Sequence, residues 1–200
     1  MPTRFTFPWT LAFVVFAFLL GSQTGSPARA DDLILTGPHP FLKENALSVE
    51  FLLGAGLGDS FSGRGVGLGY GYMLTGPLWL DLQMNIRAAA CSPYGACRST
   101  GGSDVELLAG ASWRMRTDLP LVPYLRGGAG LIYLYPRAGQ SATGLAVRGG
   151  VGAKYYIYDW LGFGIESALS LGHAYFSQDY AGSHTYAIFD VGLGMEWQFR

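Results

Sequence analysis

The sequence predicts an all-β chain: eight antiparallel strands joined as a meander and closed into a transmembrane barrel. Three observations carry that expectation. Turn-forming clusters divide residues 45–199 into eight segments in which apolar and polar side chains alternate, the period of a strand. Within those segments every Asp, Glu, Lys and Arg is expected on one parity, opposite the large apolar residues. The connections are alternately short and longer.

The first segment, Asn45–Leu57, places Glu50 on the polar parity. The second, Gly65–Thr75, begins with Gly65-Val66-Gly67-Leu68-Gly69-Tyr70-Gly71. This string lacks the strand–loop–helix setting and the lysine of a phosphate-binding loop, so its glycines read as strand glycines. In the third, Leu78–Ala90, Leu78, Leu80, Leu82, Met84 and Ile86 oppose Asp81, Gln83, Asn85 and Arg87. In the fourth, Asp104–Thr117, Val105, Leu107, Trp113 and Met115 oppose Glu106, Ser112, Arg114 and Arg116.

The fifth, Val122–Tyr135, carries Arg126 on the polar parity. The sixth, Gly144–Tyr158, sets Leu145, Val147, Val151 and Tyr155 against Arg148 and Lys154. The seventh, Leu161–Phe176, sets Leu161, Phe163, Ile165, Leu169 and Leu171 against Glu166. The eighth, Thr185–Phe199, shows the cleanest alternation: Phe189, Val191, Leu193, Met195, Trp197 and Phe199 against Asp190, Gly192, Gly194, Glu196 and Gln198.

Thr75-Gly76-Pro77, Asp118–Leu121 and the Tyr158–Leu161 corner are the short connections; Gly58–Arg64, Cys91–Ser103, Pro136–Thr143 and Ser177–His184 are the longer ones. Lipid explains the parity of the charges, because an Arg or Lys on the lipid face near mid-membrane costs about 2–4 kcal/mol. A water-soluble barrel reverses the pattern, with an apolar interior and charges outside. The alternation opposes that reading.

Residues 1–30 read as a secretory signal peptide. Arg4 supplies the positive start, Leu11–Leu20 is an unbroken apolar run, and Ala28-Arg29-Ala30 offers small residues for cleavage. Residues 31–44, with Pro38 and Pro40, read as a lead-in or partial plug, and residues 45–200 as the barrel. Lys and Arg (13) nearly balance Asp and Glu (14), which argues against a nucleic-acid partner. Cys91 and Cys97 lie close together in an exported chain with no His nearby, which favours a disulfide over a metal site. Neither metal nor cofactor is expected.

The aromatic residues are expected to form two girdles. One holds Trp79, Trp113, Trp160 and Trp197 with Tyr72, Tyr124, Tyr155, Phe163 and Phe199; the other holds Tyr133, Tyr135, Tyr175 and Tyr186.

With these features the chain resembles the small eight-stranded outer-membrane β-barrels, the group that includes the OmpA transmembrane domain, OmpX and OmpW. The resemblance covers roughly residues 45–199 and rests on pattern. It implies short periplasmic turns, longer extracellular loops, location in the outer membrane of a Gram-negative-type bacterium, and a monomer in contact with outer-membrane lipid and lipopolysaccharide. It also implies recognition by barrel-assembly machinery, for which Asp190, Gly192, Met195, Trp197 and Phe199 match the assembly signal; Arg200 departs from the habit of ending on the aromatic.

Eight strands enclose a lumen that side chains can fill. The inward parity is expected to hold an ion-pair network of Glu50, Asp81, Glu106, Glu166, Asp190 and Glu196 with Arg87, Arg114, Arg116, Arg126, Arg148 and Lys154. Arg87 should meet Glu106 near the outer rim, and Arg114, Arg116 and Arg126 should meet Asp81, Glu50, Glu166 or Glu196 in the other half. The function expected is structural or surface-interacting, with a narrow channel for small or hydrophobic solutes as the alternative. Catalysis is not expected. The lipid A deacylase family, which shares the architecture, places a Ser two residues after a strand His, whereas His173 here is followed by Tyr175.

Overall fold

In a computed structural model, the structure describes residues 42–57, 62–90, 102–115, 120–136, 141–176 and 183–200. The signal segment, most of the lead-in, Cys91, Cys97 and Arg116 lie outside the described residues. The strands are β1 (Asn45–Gly56), β2 (Ser62–Thr75), β3 (Leu78–Ala90), β4 (Gly102–Arg114), β5 (Leu121–Pro136), β6 (Ala142–Tyr158), β7 (Leu161–Phe176) and β8 (Ser183–Phe199). Each pairs antiparallel with the next, and β1 pairs with β8 to close the barrel.

The register sets the stagger. A rung followed from Asn45 through Tyr72, Leu80, Ala111, Gly127, Gly149, Leu169 and Phe189 re-enters β1 at Ala55, ten residues further on. Such a shift tilts the strands against the barrel axis, and a barrel of eight strands encloses an interior that side chains can fill. Asn45 pairs with both Tyr72 and Phe199, so the start of β1, the end of β8 and the Gly76-Pro77 turn share one end. We term this the turn end and the opposite one the loop end. Two register shifts, at Met73/Thr75 and Tyr156/Tyr158, flank turns at that end. Gly76, with φ of 41°, occupies a left-handed position that favours glycine.

Two strand bounds are informative. β4 is described as far as Arg114, with Arg116 and Thr117 outside the described residues; at its end Arg114 N–H donates to the Pro77 carbonyl (2.8 Å) and Met115 N–H to that of Pro123 (2.7 Å). β2 begins at Ser62, which brings Arg64 into the strand on the outward parity. The rule that no charge takes the apolar parity therefore fails at Arg64. Its place at the loop end, away from the middle of the apolar band, removes most of the cost.

Outward positions form a continuous apolar surface, including Phe51, Leu82, Leu107, Leu125, Val147, Ile165, Phe189 and Leu193, all exposed. Inward positions carry the charged residues, almost all of them buried.

Candidate functional site

The lumen gathers its charged residues at three levels. Nearest the loop end, register places Arg87 of β3 directly opposite Asp104 of β4, with Glu106 one inward position further along. Arg87 Nη1 lies 2.5 Å from Asp104 Oδ2, and Nη2 lies 2.7 Å from Glu106 Oε2. Across the barrel the same guanidinium binds Asp190 of β8 with two donors, Nε to Oδ1 at 3.1 Å and Nη2 to Oδ2 at 2.8 Å. Arg148 of β6 also donates to Asp190 (2.5 Å) and to Ser170 Oγ (2.9 Å), while Asn85 donates to Glu106 (3.1 Å).

Arg148 reaches down to the middle level, where its Nη2 stands 3.4 Å from Glu166 Oε1. There Arg126 Nη1 pairs with Glu166 Oε2 at 2.9 Å and has Glu50 at 3.7 Å, and Arg126 Nε has Asp81 at 3.6 Å. Tyr124 donates to Glu166 from 2.9 Å. Two small cavities flank this level, one lined partly by Glu50, Tyr124 and Lys154, the other by Asp81, Arg114 and Arg126. Each offers about 10 Å³ to a solvent centre, the size of a single water.

Towards the turn end, Glu196 of β8 is the common acceptor. Arg114 donates Nη1 to its Oε1 (2.8 Å) and Nη2 to its Oε2 (3.2 Å). Tyr156 O–H (2.6 Å) and Gln198 Nε2 (3.0 Å) donate to Oε1, and Lys154 Nζ binds Oε2. Beneath them Trp79 packs its ring against the Arg114 guanidinium.

Burying these ions sacrifices hydration worth several kcal/mol per ion, which only dense, well-directed pairing offsets. Two-donor Arg–carboxylate contacts at Asp190 and Glu196 are the strong form of that pairing. Apolar side chains lie beyond the charges at both ends. Leu42, Ala46, Trp79, Val122 and Tyr156 cluster at the turn end, while Leu108, Ile132, Leu134, Tyr186 and Ile188 are among those clustered towards the loop end. Among the described residues the lumen is a packed core.

The structure brings together Glu50, Asp81, Arg87, Glu106, Arg114, Arg126, Arg148, Lys154, Glu166, Asp190 and Glu196, with Arg87 beside Glu106, Arg114 on Glu196, and Arg126 between Glu166, Glu50 and Asp81. It adds Asp104, which shares the parity of Glu106 near the start of β4, and the hydroxyl donors Tyr124 and Tyr156. With Asp104 included, the described interior holds more carboxylates than cations, not equal numbers.

Three aromatics expected in the girdles face inward instead. Trp79, Tyr124 and Tyr186 are buried, because each occupies the parity of a lumenal neighbour (Asp81, Arg126 and Ile188). Trp113, Tyr155, Phe163 and Tyr175 do face outward and are exposed. Leu42 settles in the turn-end cluster, and Lys43 is held by Gln198 (backbone N–H to Oε1, 2.8 Å) and Asp159 (Nζ to Oδ2, 3.2 Å). The described end of the lead-in is thus anchored at the turn end. Among the described residues no group of three or more His, Cys, Asp or Glu is arranged to hold a metal ion.

No protein-family model matches the sequence, and no curated protein matches it significantly. Solved structures do match the fold. Neisserial surface protein A is similar with a TM-score of 0.58 at 14% identity, over 78% of this chain and 96% of that one. The outer membrane protein OprG of Pseudomonas aeruginosa gives a TM-score of 0.57 at 9% identity, over 82% and 100%. The outer membrane protein AlkL, determined in DMPC bilayers, gives 0.51 at 14% identity, over 88% and 96%. Identities this low carry the fold alone, and the fold is that of the small eight-stranded outer-membrane β-barrels.

Proposed function

We propose that this chain is an integral outer-membrane protein whose lumen is a locking core and whose function lies on its outer surface, in a structural or surface-interaction role. The inversion of polarity supports this most directly: Arg87 is 2% exposed inside the barrel while Leu145 is 69% exposed outside it. Water would not sustain so apolar an exterior, whereas a bilayer solvates it and excludes charge from it. The turn end then faces the periplasm and the loop end the exterior, with residues 1–30 directing export. Phe189–Phe199, where Met195, Trp197 and Phe199 alternate with inward Gly192 and Asp190, offers the segment by which assembly machinery recognises the chain.

The packed interior favours a closed lumen over a solute channel, and nothing among its described residues supplies a nucleophile with an accessible base. Planar-bilayer recordings of the purified protein test the reading. Silence from both wild type and Arg114→Ala is the expected result. Steady single-channel conductance from the wild type would replace it with the channel reading.

A further inference from the structure

The two small cavities at the middle level differ in the charge of their linings. One has Glu50, Glu166 and Glu196 against Lys154 alone. The other has Asp81 and Glu196 against Arg114 and Arg126, and is balanced. The first is short of positive charge.

Glycines open that first space. Register pairs Lys154 with Gly164, Gly164 with Gly194 and Gly194 with Glu50, and sets Gly192 beside Glu166. Inward positions between charged neighbours are thus left without side chains, and Gly164, Gly192 and Gly194 all line the cavity. A Cβ on Gly192 would stand 3.5 Å from Glu50 Oε2, so that oxygen faces the gap.

The carboxylates around the gap are unequally served. Glu166 binds Arg126 and accepts from Tyr124, each at 2.9 Å. Glu196 is met by Arg114, Lys154, Tyr156 and Gln198. Glu50 faces Arg126 Nη1 only at 3.7 Å, beyond hydrogen-bond reach, and its Oε2 is buried with no hydrogen-bond partner among the described residues. The residue is 7% exposed, so bulk water does not serve it either.

A water molecule in the gap would supply a hydrogen bond and leave the charge. A small cation answers both needs, and an uncompensated buried charge is the costlier of the two. Sodium and potassium are hard cations that take oxygen ligands, and Ser48 lines the gap beside Glu50. A bare ion of either kind is no larger than the single water the space admits. Lys154 opposes a double charge, and the described residues hold no cluster of three carboxylates fit for a divalent metal. We infer that the cavity beside Glu50 binds a dehydrated monovalent cation, sodium or potassium, which deepens the reading of the lumen as a locking core.

The test refolds the full chain into lipid vesicles and measures its urea unfolding equilibrium in sodium chloride, potassium chloride and N-methylglucamine chloride at equal ionic strength. The organic cation is too large for the cavity. At an alkali ion concentration about ten times the dissociation constant, the folding constant is expected to be about tenfold larger than in the organic salt. That gain should vanish in Glu50→Gln. It should vanish also in Gly192→Ala, which fills the space without altering a charge, and persist in Asp159→Asn at the exposed turn. Equal folding constants in the three salts overturn the inference, as does a gain that survives either lumenal substitution. If neither lumenal variant folds, wild-type crystals grown in a thallium(I) salt decide it. An anomalous peak beside Glu50 Oε2 is expected there, and its absence overturns the site. Conductance tests the closed lumen separately, so a silent bilayer with equal folding constants removes only the cation.

Discussion

The guanidinium carbon of Arg114 stands 3.6 Å from the centre of the Trp79 ring, both side chains fully enclosed at the turn end of the barrel. One face of that cation is thus covered by an aromatic surface while its edge binds Glu196. Removing the ring takes away both the cover and the volume. Trp79→Ala is expected to cost about 3–5 kcal/mol, the usual range for emptying a buried aromatic site. Urea titration of the protein in lipid vesicles measures it. A loss below about 1 kcal/mol would mean that the turn end relaxes around the gap.

A second expectation concerns Arg87, which faces Asp104, Glu106 and Asp190 together. Arg87→Met keeps much of the volume but leaves enclosed carboxylates without their shared cation. A stability loss of about 3–5 kcal/mol is expected, since an uncompensated buried charge is costly. Replacing Asp104 by Asn in the same background should recover part of it. Equilibrium unfolding of the single and double variants decides the point, and a double variant no more stable than the single one contradicts the pairing.

Two glycine substitutions should go opposite ways. A Cβ on Gly130 would stand 1.9 Å from the Leu107 carbonyl oxygen, so Gly130→Ala should lose about 1–3 kcal/mol through forced backbone shifts. Gly127 and Gly149 face outward, and a Cβ there meets nothing within 4 Å. Gly127→Ala should therefore be neutral or gain up to about 1 kcal/mol, the conformational cost that glycine carries in a strand. The same unfolding assay separates them.

Cys91 and Cys97 lie beyond the described residues, and their pairing is a chemical expectation from an exported chain. Intact protein purified without reductant should yield no thiols to alkylation under denaturing conditions. Two reactive thiols per chain would show that the bridge does not form.

Parity made most of this architecture legible. The third, sixth and eighth strands were the most legible, since every charge there falls on the parity opposite a run of large apolar groups. Where parity was set aside for residue type, the reading erred: Trp79 sits between Leu78 and Leu80, so it faces the way Asp81 faces, whatever the habit of tryptophan at interfaces. Asp104 carries the same signal, two residues before Glu106 on the same parity. The loop-end apolar cluster was less readable because Leu107-Leu108 and Leu131–Leu134 are apolar on both parities. Which cations meet which carboxylates across the lumen depends on the ten-residue stagger, a property of all eight strands at once. Only neighbours such as Arg87 and Glu106 escape that dependence.

Two of the shared acceptors, Asp190 and Glu196, belong to β8, the strand that also seals the sheet against β1. A barrel of seven strands would therefore expose two raw edges and, at the same time, leave Arg114 and Lys154 repelling one another across a narrowing gap. Closure removes both penalties in one movement. The last stave thus acts as an electrostatic latch, and half-shut intermediates gain little of the stability of the finished barrel.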